Sequence, residues 1–227
     1  MRKKPFVTGE FYHIYNRGTD KRNIFSDKND IDRFFQSMIE FNTIEPIGSI
    51  YENSFYLNQL GSLASKLRKP SKKLVNFISY CLNPNHFHFL LEQVAEKGIE
   101  KFLHRLGTGY TKYFNNKHKR SGALFQGTFK AVHVDSNDYL LRLSAYINLN
   151  NEVHKLKGSL FKSSLHEYET KAGGSFCKKD IILEQFKNLA EYSEFMKEAL
   201  LSILENRADN DINDINDIND INKLLLE

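Results

Sequence analysis

Two histidines separated by one apolar residue, His86-Phe87-His88, stand in a stretch with the composition of a β-strand. In a strand, residues i and i+2 point to one face, so both imidazoles project together while Phe87 faces the other way. Two neighbouring imidazoles can share one divalent metal ion, with a third oxygen or nitrogen ligand supplied from elsewhere. Taken alone the triplet is weak, because a His-x-His on a strand is more often a surface or hydrogen-bonded pair. Further along, Tyr146 and Asn150 are four apart and share a helical face. They present a phenol and an amide oxygen side by side. If that face meets the histidines, one site holds a nucleophile, two imidazole ligands and an oxygen ligand. Considered singly, Tyr146 reads more readily as a core aromatic and Asn150 as the end of a helix.

The elements that must carry these residues follow from hydrophobic period and breakers. Phe11-Tyr12-His13-Ile14-Tyr15 reads as a strand broken by Asn16-Arg17-Gly18. Asp30 to about Phe41 has helical spacing, with Ser26 or Asp27 as cap. Residues 44–73 read as a loop or an inserted short helix around Leu57–Leu67. Leu74–Leu82 and His86–Leu91 read as strands joined by Asn83-Pro84-Asn85, a hairpin. A helix is expected from about Ile99 to Asn116, then a basic turn, a fourth strand from Leu124 to Val134, and a helix capped by Ser136-Asn137-Asp138 that runs to about Asn150. Strand, helix, strand, strand, helix, strand, helix is the order of a ferredoxin-like α+β sandwich, an antiparallel sheet with helices on one face.

Composition bounds the setting. Aromatic residues make up 13% of the chain, including 18 Phe and 11 Tyr, enough for a substantial core. The two cysteines, Cys81 and Cys177, form no CxxC pattern, which argues against a disulfide scaffold or a cysteine-based zinc site. No apolar run approaches the roughly 20 residues a membrane helix needs, and no signal-peptide core follows the N-terminus. A soluble, cytoplasmic protein with no membrane association is expected. Net charge is +4, but residues 205–222 set Glu205 and five aspartates against Arg207 alone, leaving the rest of the chain at +9. A body that basic suits a polyanionic partner, and equally a charged surface kept for solubility. From Ile181 to Leu204 one or two further helices are expected. The three-residue period from Asp211-Ile212-Asn213 to Asp220-Ile221-Asn222 matches neither helix nor strand, so it reads as a disordered acidic tail. The expected division is 1–170 as the main domain, 171–204 as a helical extension and 205–227 as the tail.

The motifs together carry a family resemblance. Asn83-Pro84-Asn85-His86-Phe87-His88-Phe89-Leu90-Leu91 resembles the HUH motif (His, bulky hydrophobic, His) of single-tyrosine transposases. Tyr15-Asn16-Arg17-Gly18 and the run from Arg120-Ser121-Gly122 to Gln126-Gly127-Thr128-Phe129-Lys130 extend the likeness, and Tyr146-Ile147-Asn148-Leu149-Asn150 is similar to the family's catalytic-tyrosine helix. The group resembled is the insertion-sequence-200-like family, within it the relatives associated with repetitive extragenic palindromes (REP), over residues 8 to about 168. Two departures stand out: the family often has proline where this chain has Asn151, and residues 44–73 are longer than the usual link.

The resemblance implies an RRM-like, HUH-endonuclease form of the ferredoxin-like sheet and a DNA strand transferase. Tyr146 would attack single-stranded hairpin DNA to form a 5′-phosphotyrosine link, with Mg²⁺ or Mn²⁺ held by His86, His88 and Asn150. Tyr110 and Tyr113 are rival nucleophiles, but in the family pattern the attacking tyrosine follows the Gln-Gly strand, which favours Tyr146. Arg17, Arg22, Lys112, Lys117, Lys119, Arg120 and Lys130 are the expected DNA contacts, since cationic side chains neutralise phosphates and nearby aromatics stack on unpaired bases. Tyr12 and Tyr15 read as packing or stacking residues. A homodimer and a monomer both stay open. The competing readings are a non-catalytic single-stranded nucleic-acid binder on the same scaffold and a domesticated member. The binder is opposed by the missing aromatic-basic strand signature of RNA-recognition domains.

Overall fold

The computed structural model describes residues 5–53, 72–156, 160–170 and 175–209. Its centre is a five-stranded antiparallel sheet in the order β4-β1-β3-β2-β5. The strands are β1 (Phe11–Arg17), β2 (Val75–Asn83), β3 (His86–Gln93), β4 (Lys130–Val134) and the short β5 (Lys162–Ser163). The first four run 4-1-3-2, the arrangement expected of the ferredoxin-like α+β fold. β2 and β3 form the expected hairpin, with Asn83 opposite His86 across Pro84-Asn85.

Almost every residue of β2 and β3 is buried, whichever way its side chain points. Such strands need cover on both faces. On one face α1 (Lys28–Glu40) and α2 (Gly98–Lys117) supply it, packing Phe34, Met38, Phe102 and Tyr110 onto Ile14, Phe77, Phe87 and Phe89. Full burial of each such side chain contributes about 2 kcal/mol before entropy is charged against it. The close approach of the two helices depends on Gly109, where a methyl would lie 2.7 Å from the Phe41 ring.

The opposite face is covered too, which corrects the expectation of helices on one face only. α3 (Asn137–Asn148), continued by α4 (Asn150–Val153), lies across Ile78, Cys81 and Leu90. After α5 (Leu165–Glu169) and α6 (Asp180–Leu183), α7 (Leu189–Asp209) packs Tyr192, Met196 and Ile203 into the same layer. The physical reason is the second phase of the strands. His13, Tyr15, Ile78 and Leu90 are too apolar or aromatic as a set to be left against water.

Other differences are local. Strand β1 continues through Asn16 and Arg17, which pair with Phe87 and His86 instead of forming a turn. β4 starts at Lys130, not Leu124, because pairing with β1 ends at Tyr15 and Gly127, at φ +70°, turns the chain away. One bridge, Gly18 to Phe125, holds the segment before it. The capping residues are Asp27, which accepts from Asp30 N at 3.0 Å, and Ser136, which accepts from Tyr139 N at 3.2 Å. Residues 205–209, expected to open the acidic tail, are helical as the end of α7. The rest of that tail, and the expected short helix around Leu57–Leu67, lie outside the described residues. Both cysteines are free and buried.

Candidate active site

Strand β3 is central, so what it presents is enclosed by β1 on one side and β2 on the other. In the antiparallel register His88 faces Tyr15 of β1 and Cys81 of β2, and His86 faces Arg17 and Asn83. Directly paired residues share a face. The His88 ring is 3% exposed and packs against Tyr15 and His13, while His86 is partly exposed. Their ring centroids are 5.1 Å apart.

α3 crosses this face and delivers Tyr146, whose ring lies edge-on to His88 with centroids 5.7 Å apart. The helical hydrogen bonds carry on past the α3 end, from Leu149 N to Ala145 O and from His154 N to Asn150 O. Tyr146 and Asn150 therefore keep their one-turn relation. Asn150 Oδ1 lies 3.2 Å from His86 Nε2, and the Asn83 side-chain amide reaches both, at 2.5 and 3.0 Å. The structure thus brings together His86, His88, Tyr146 and Asn150 from two segments far apart in the chain.

The tautomer of His86 follows from its neighbours. Asn85 Nδ2 donates to Lys21 O at 3.3 Å, which turns Asn85 Oδ1 toward His86 Nδ1 at 2.6 Å. An amide oxygen only accepts, so the Nδ1 of the neutral ring donates and its Nε2 holds a lone pair. Burial, then the charges of His86, His13 and His154, hold His88 well below the ordinary histidine pKa. Burial alone lowers His13 to about 3. Burial pushes the Tyr146 phenol up, opposed by the Asn150 side chain, which lies near the hydroxyl without the geometry of a hydrogen bond. A neutral, enclosed phenol is a poor nucleophile and needs activation.

The donor set fits a divalent ion of the Mn²⁺ or Mg²⁺ kind. Two ligands about 2.1 Å from one ion at a right angle are about 3 Å apart, near the His86–Asn150 spacing of 3.2 Å. The Tyr146 hydroxyl and Asn150 Nδ2 are buried without a hydrogen bond, an unusual cost unless another group meets them. Among the described residues, no three His, Cys, Asp or Glu side chains form a metal-binding group, and a site here would need an amide such as Asn150 to complete the set.

Residues 48–150 match the family described as "Transposase IS200 like", a stretch from before β2 through Asn150 that contains all four residues. Over that stretch the chain is similar to the IS200-like transposase family. Of the solved structures, one entitled "Structure of the REP associates tyrosine transposase bound to a REP hairpin" is similar to this chain at 12% identity and a TM-score of 0.46, over 74% of this chain and 83% of the other. No curated protein matches the chain.

The rival tyrosines lie elsewhere. Tyr110 packs on the α1/α2 face and donates to Ile24 O at 2.6 Å, and Tyr113 reaches Asp30 at 3.4 Å. The expected DNA contacts divide. Arg17, which pairs with His86 and donates to Gln126, and Lys130, which pairs with Tyr15, share the histidine face. Arg22 is exposed and pairs with Asp20. Lys117 is engaged by Asp27 and Asp30 at 2.7 Å, and Arg120 holds its own loop through Asn115 Oδ1 and Ala123 O. Lys119 is exposed in the turn after α2. Lys112 borders a cavity of about 570 Å³ between α2 and residues 123–129, on the face away from the histidines.

Three residues at the site were missed from sequence, His13, Asn83 and His154, and Tyr15 was read there only as a packing or stacking residue. Two had a legible signal. The i, i+2 spacing of His13, Tyr15 and Arg17 puts them on one face of β1, and His154 follows Asn150 by one helical turn. Its ring centroid is 5.1 Å from that of His86.

Proposed function

We propose that this protein is a transposase that nicks and rejoins single-stranded hairpin DNA through a 5′-phosphotyrosine intermediate, with Tyr146 as nucleophile. The observation that carries this is the Tyr146 ring held 5.7 Å from His88, beside the His86 and Asn150 pair. The Tyr146 oxygen attacks the phosphorus, the bond to the 3′ oxygen breaks, and the proton lost by the phenol is balanced by the one the leaving 3′-OH acquires. Attack of a 3′-OH on the phosphotyrosine reverses the step without ATP, because one phosphodiester-type bond is exchanged for another. His86, His88 and Asn150 would hold Mg²⁺ or Mn²⁺, which when bound polarises the phosphate and offsets charge in the transition state. Imidazole ligands favour Mn²⁺.

Each residue has a task of its own. His86 and His88, both with a nitrogen turned away from the site toward a partner, point their other nitrogens inward. Asn83 draws Asn150 and His86 together. Arg17 and Lys130 flank the histidine face and supply positive charge for the DNA backbone. His86 and His154 are the partly exposed rings, so the phosphodiester approaches from their side.

The test is a denaturing gel of labelled single-stranded hairpin DNA from sequence flanking the gene, incubated with wild type and Tyr146→Phe, in Mn²⁺ and in EDTA. A metal-dependent covalent adduct absent from the mutant is the expected result. Tight binding without an adduct would make the protein a non-catalytic single-strand binder.

A further inference from the structure

Directly behind His88, on the neighbouring strand, lies His13, fully buried. Its Nε2 is 3.0 Å from His88 Nδ1, and the two rings lie side by side, centroids 5.2 Å apart with only 20° between their planes, as an in-plane N–H···N contact requires. Tyr15 packs against both rings from its place two residues along β1. These contacts hold the orientation of His88. One proton must lie in the contact between two neutral imidazoles. If it belongs to His88, His88 Nε2 is a lone pair aimed into the site; if it belongs to His13, His88 Nε2 carries hydrogen and cannot bind a cation.

We propose that His13 is a positioning residue for His88: its Nε2 accepts the His88 Nδ1 proton, fixing the ring and the tautomer that leaves His88 Nε2 free to ligate a divalent cation. The inference rests on the metal-site reading given above. It places the His13 proton on Nδ1, which is buried without a partner. That nitrogen lacks a partner in either arrangement, so the two differ in what they leave at the site, where only this one keeps His88 Nε2 open. The pairing also parallels His86, whose outer nitrogen donates to Asn85 at 2.6 Å. Each histidine of the pair therefore has an acceptor behind it, a protein group that holds the ring and raises its basicity.

The test has two parts, neither of which reads cleavage. Long-range ¹⁵N–¹H spectra of labelled wild-type protein without metal report the tautomer of each histidine. His88 carrying its proton on Nδ1 is expected; a proton on Nε2 overturns the proposal even if no variant folds. Mn²⁺ affinity is then followed by electron paramagnetic resonance of the free ion in wild type, His88→Ala, His13→Leu and His13→Gln. His13→Leu, which keeps bulk but offers no acceptor, should weaken binding about 10–100-fold. His13→Gln, whose side-chain oxygen reaches the same place, should recover most of it. Binding lost in His88→Ala but unchanged in His13→Leu sinks the role of His13 and leaves the metal site standing. Equal losses in His13→Leu and His13→Gln would reduce His13 to packing and overturn the proposal. No Mn²⁺ binding by the wild type would remove the metal site itself and the inference with it.

Discussion

On the α1/α2 face, buried polar groups are matched almost throughout. Asp30, wholly enclosed, accepts from Ser26 N at 2.9 Å, Lys117 at 2.7 Å and His118 at 3.0 Å. Tyr110 donates to Ile24 O, and Asn42 bonds the backbone of Leu74 and Val75 three times. On the α3 face, equally buried, His13 Nδ1, the Tyr146 hydroxyl and Asn150 Nδ2 have no partner. Unmatched polar groups in an interior are costly and rare. Their concentration on one side of one sheet separates a layer whose polar groups are matched from a layer that leaves several of them unmatched.

The sharpest way to break that comparison is Tyr146→Phe. It should abolish the covalent DNA adduct, yet leave stability unchanged or raised by about 1 kcal/mol, since an unmatched buried hydroxyl is removed. A marked fall in denaturation midpoint would mean the hydroxyl is matched after all. Asp30→Ala should act the other way. It removes the acceptor shared by α1 and the end of α2 and should cost on the order of 3 kcal/mol in denaturant unfolding. A loss under about 1 kcal/mol would erase the contrast between the layers.

Acid should expose the same asymmetry more gently. His13 has its folded pKa lowered to about 3, below the ordinary 6.5, so only the unfolded chain takes up its proton in between. Stability contributed by the neutral ring is present above pH 6.5 and declines as pH falls toward 3. For metal-free protein that is about 2 kcal/mol between pH 6.5 and 5. Thermal melts across that range should flatten in His13→Leu. The smallest effect is expected from Tyr110→Phe, which removes one satisfied buried bond and should cost about 1 kcal/mol, opposite in sign to Tyr146→Phe. Equal signs for the two tyrosines would undo the distinction.

Much of the framework was legible in the chain itself. The β2–β3 hairpin followed from Asn83-Pro84-Asn85 between two apolar runs, and residue type narrowed the caps to Ser26 or Asp27 and to Ser136-Asn137-Asp138, among which the structure selects Asp27 and Ser136. The strand through Leu124 was not legible, because Leu124 and Phe125 are as β-prone as their neighbours, and pairing with β1 stops at Tyr15 for reasons of geometry. Lys117 and Arg120 looked like DNA contacts because charge is visible in sequence and its partners are not. Asp27, Asp30 and Asn115 come to them only through the fold.

His86 and His88 on one side of a strand, and Tyr146 with Asn150 on one side of a helix, are set by periods of two and 3.6 residues, which are local and need no knowledge of the fold. That the helix crosses β3 on its histidine face, and that His13 lies behind His88, are matters of tertiary structure. Local period fixes how side chains are phased along an element. Which phase meets which neighbour is decided by burial of whole faces, a sum over residues distant in the chain.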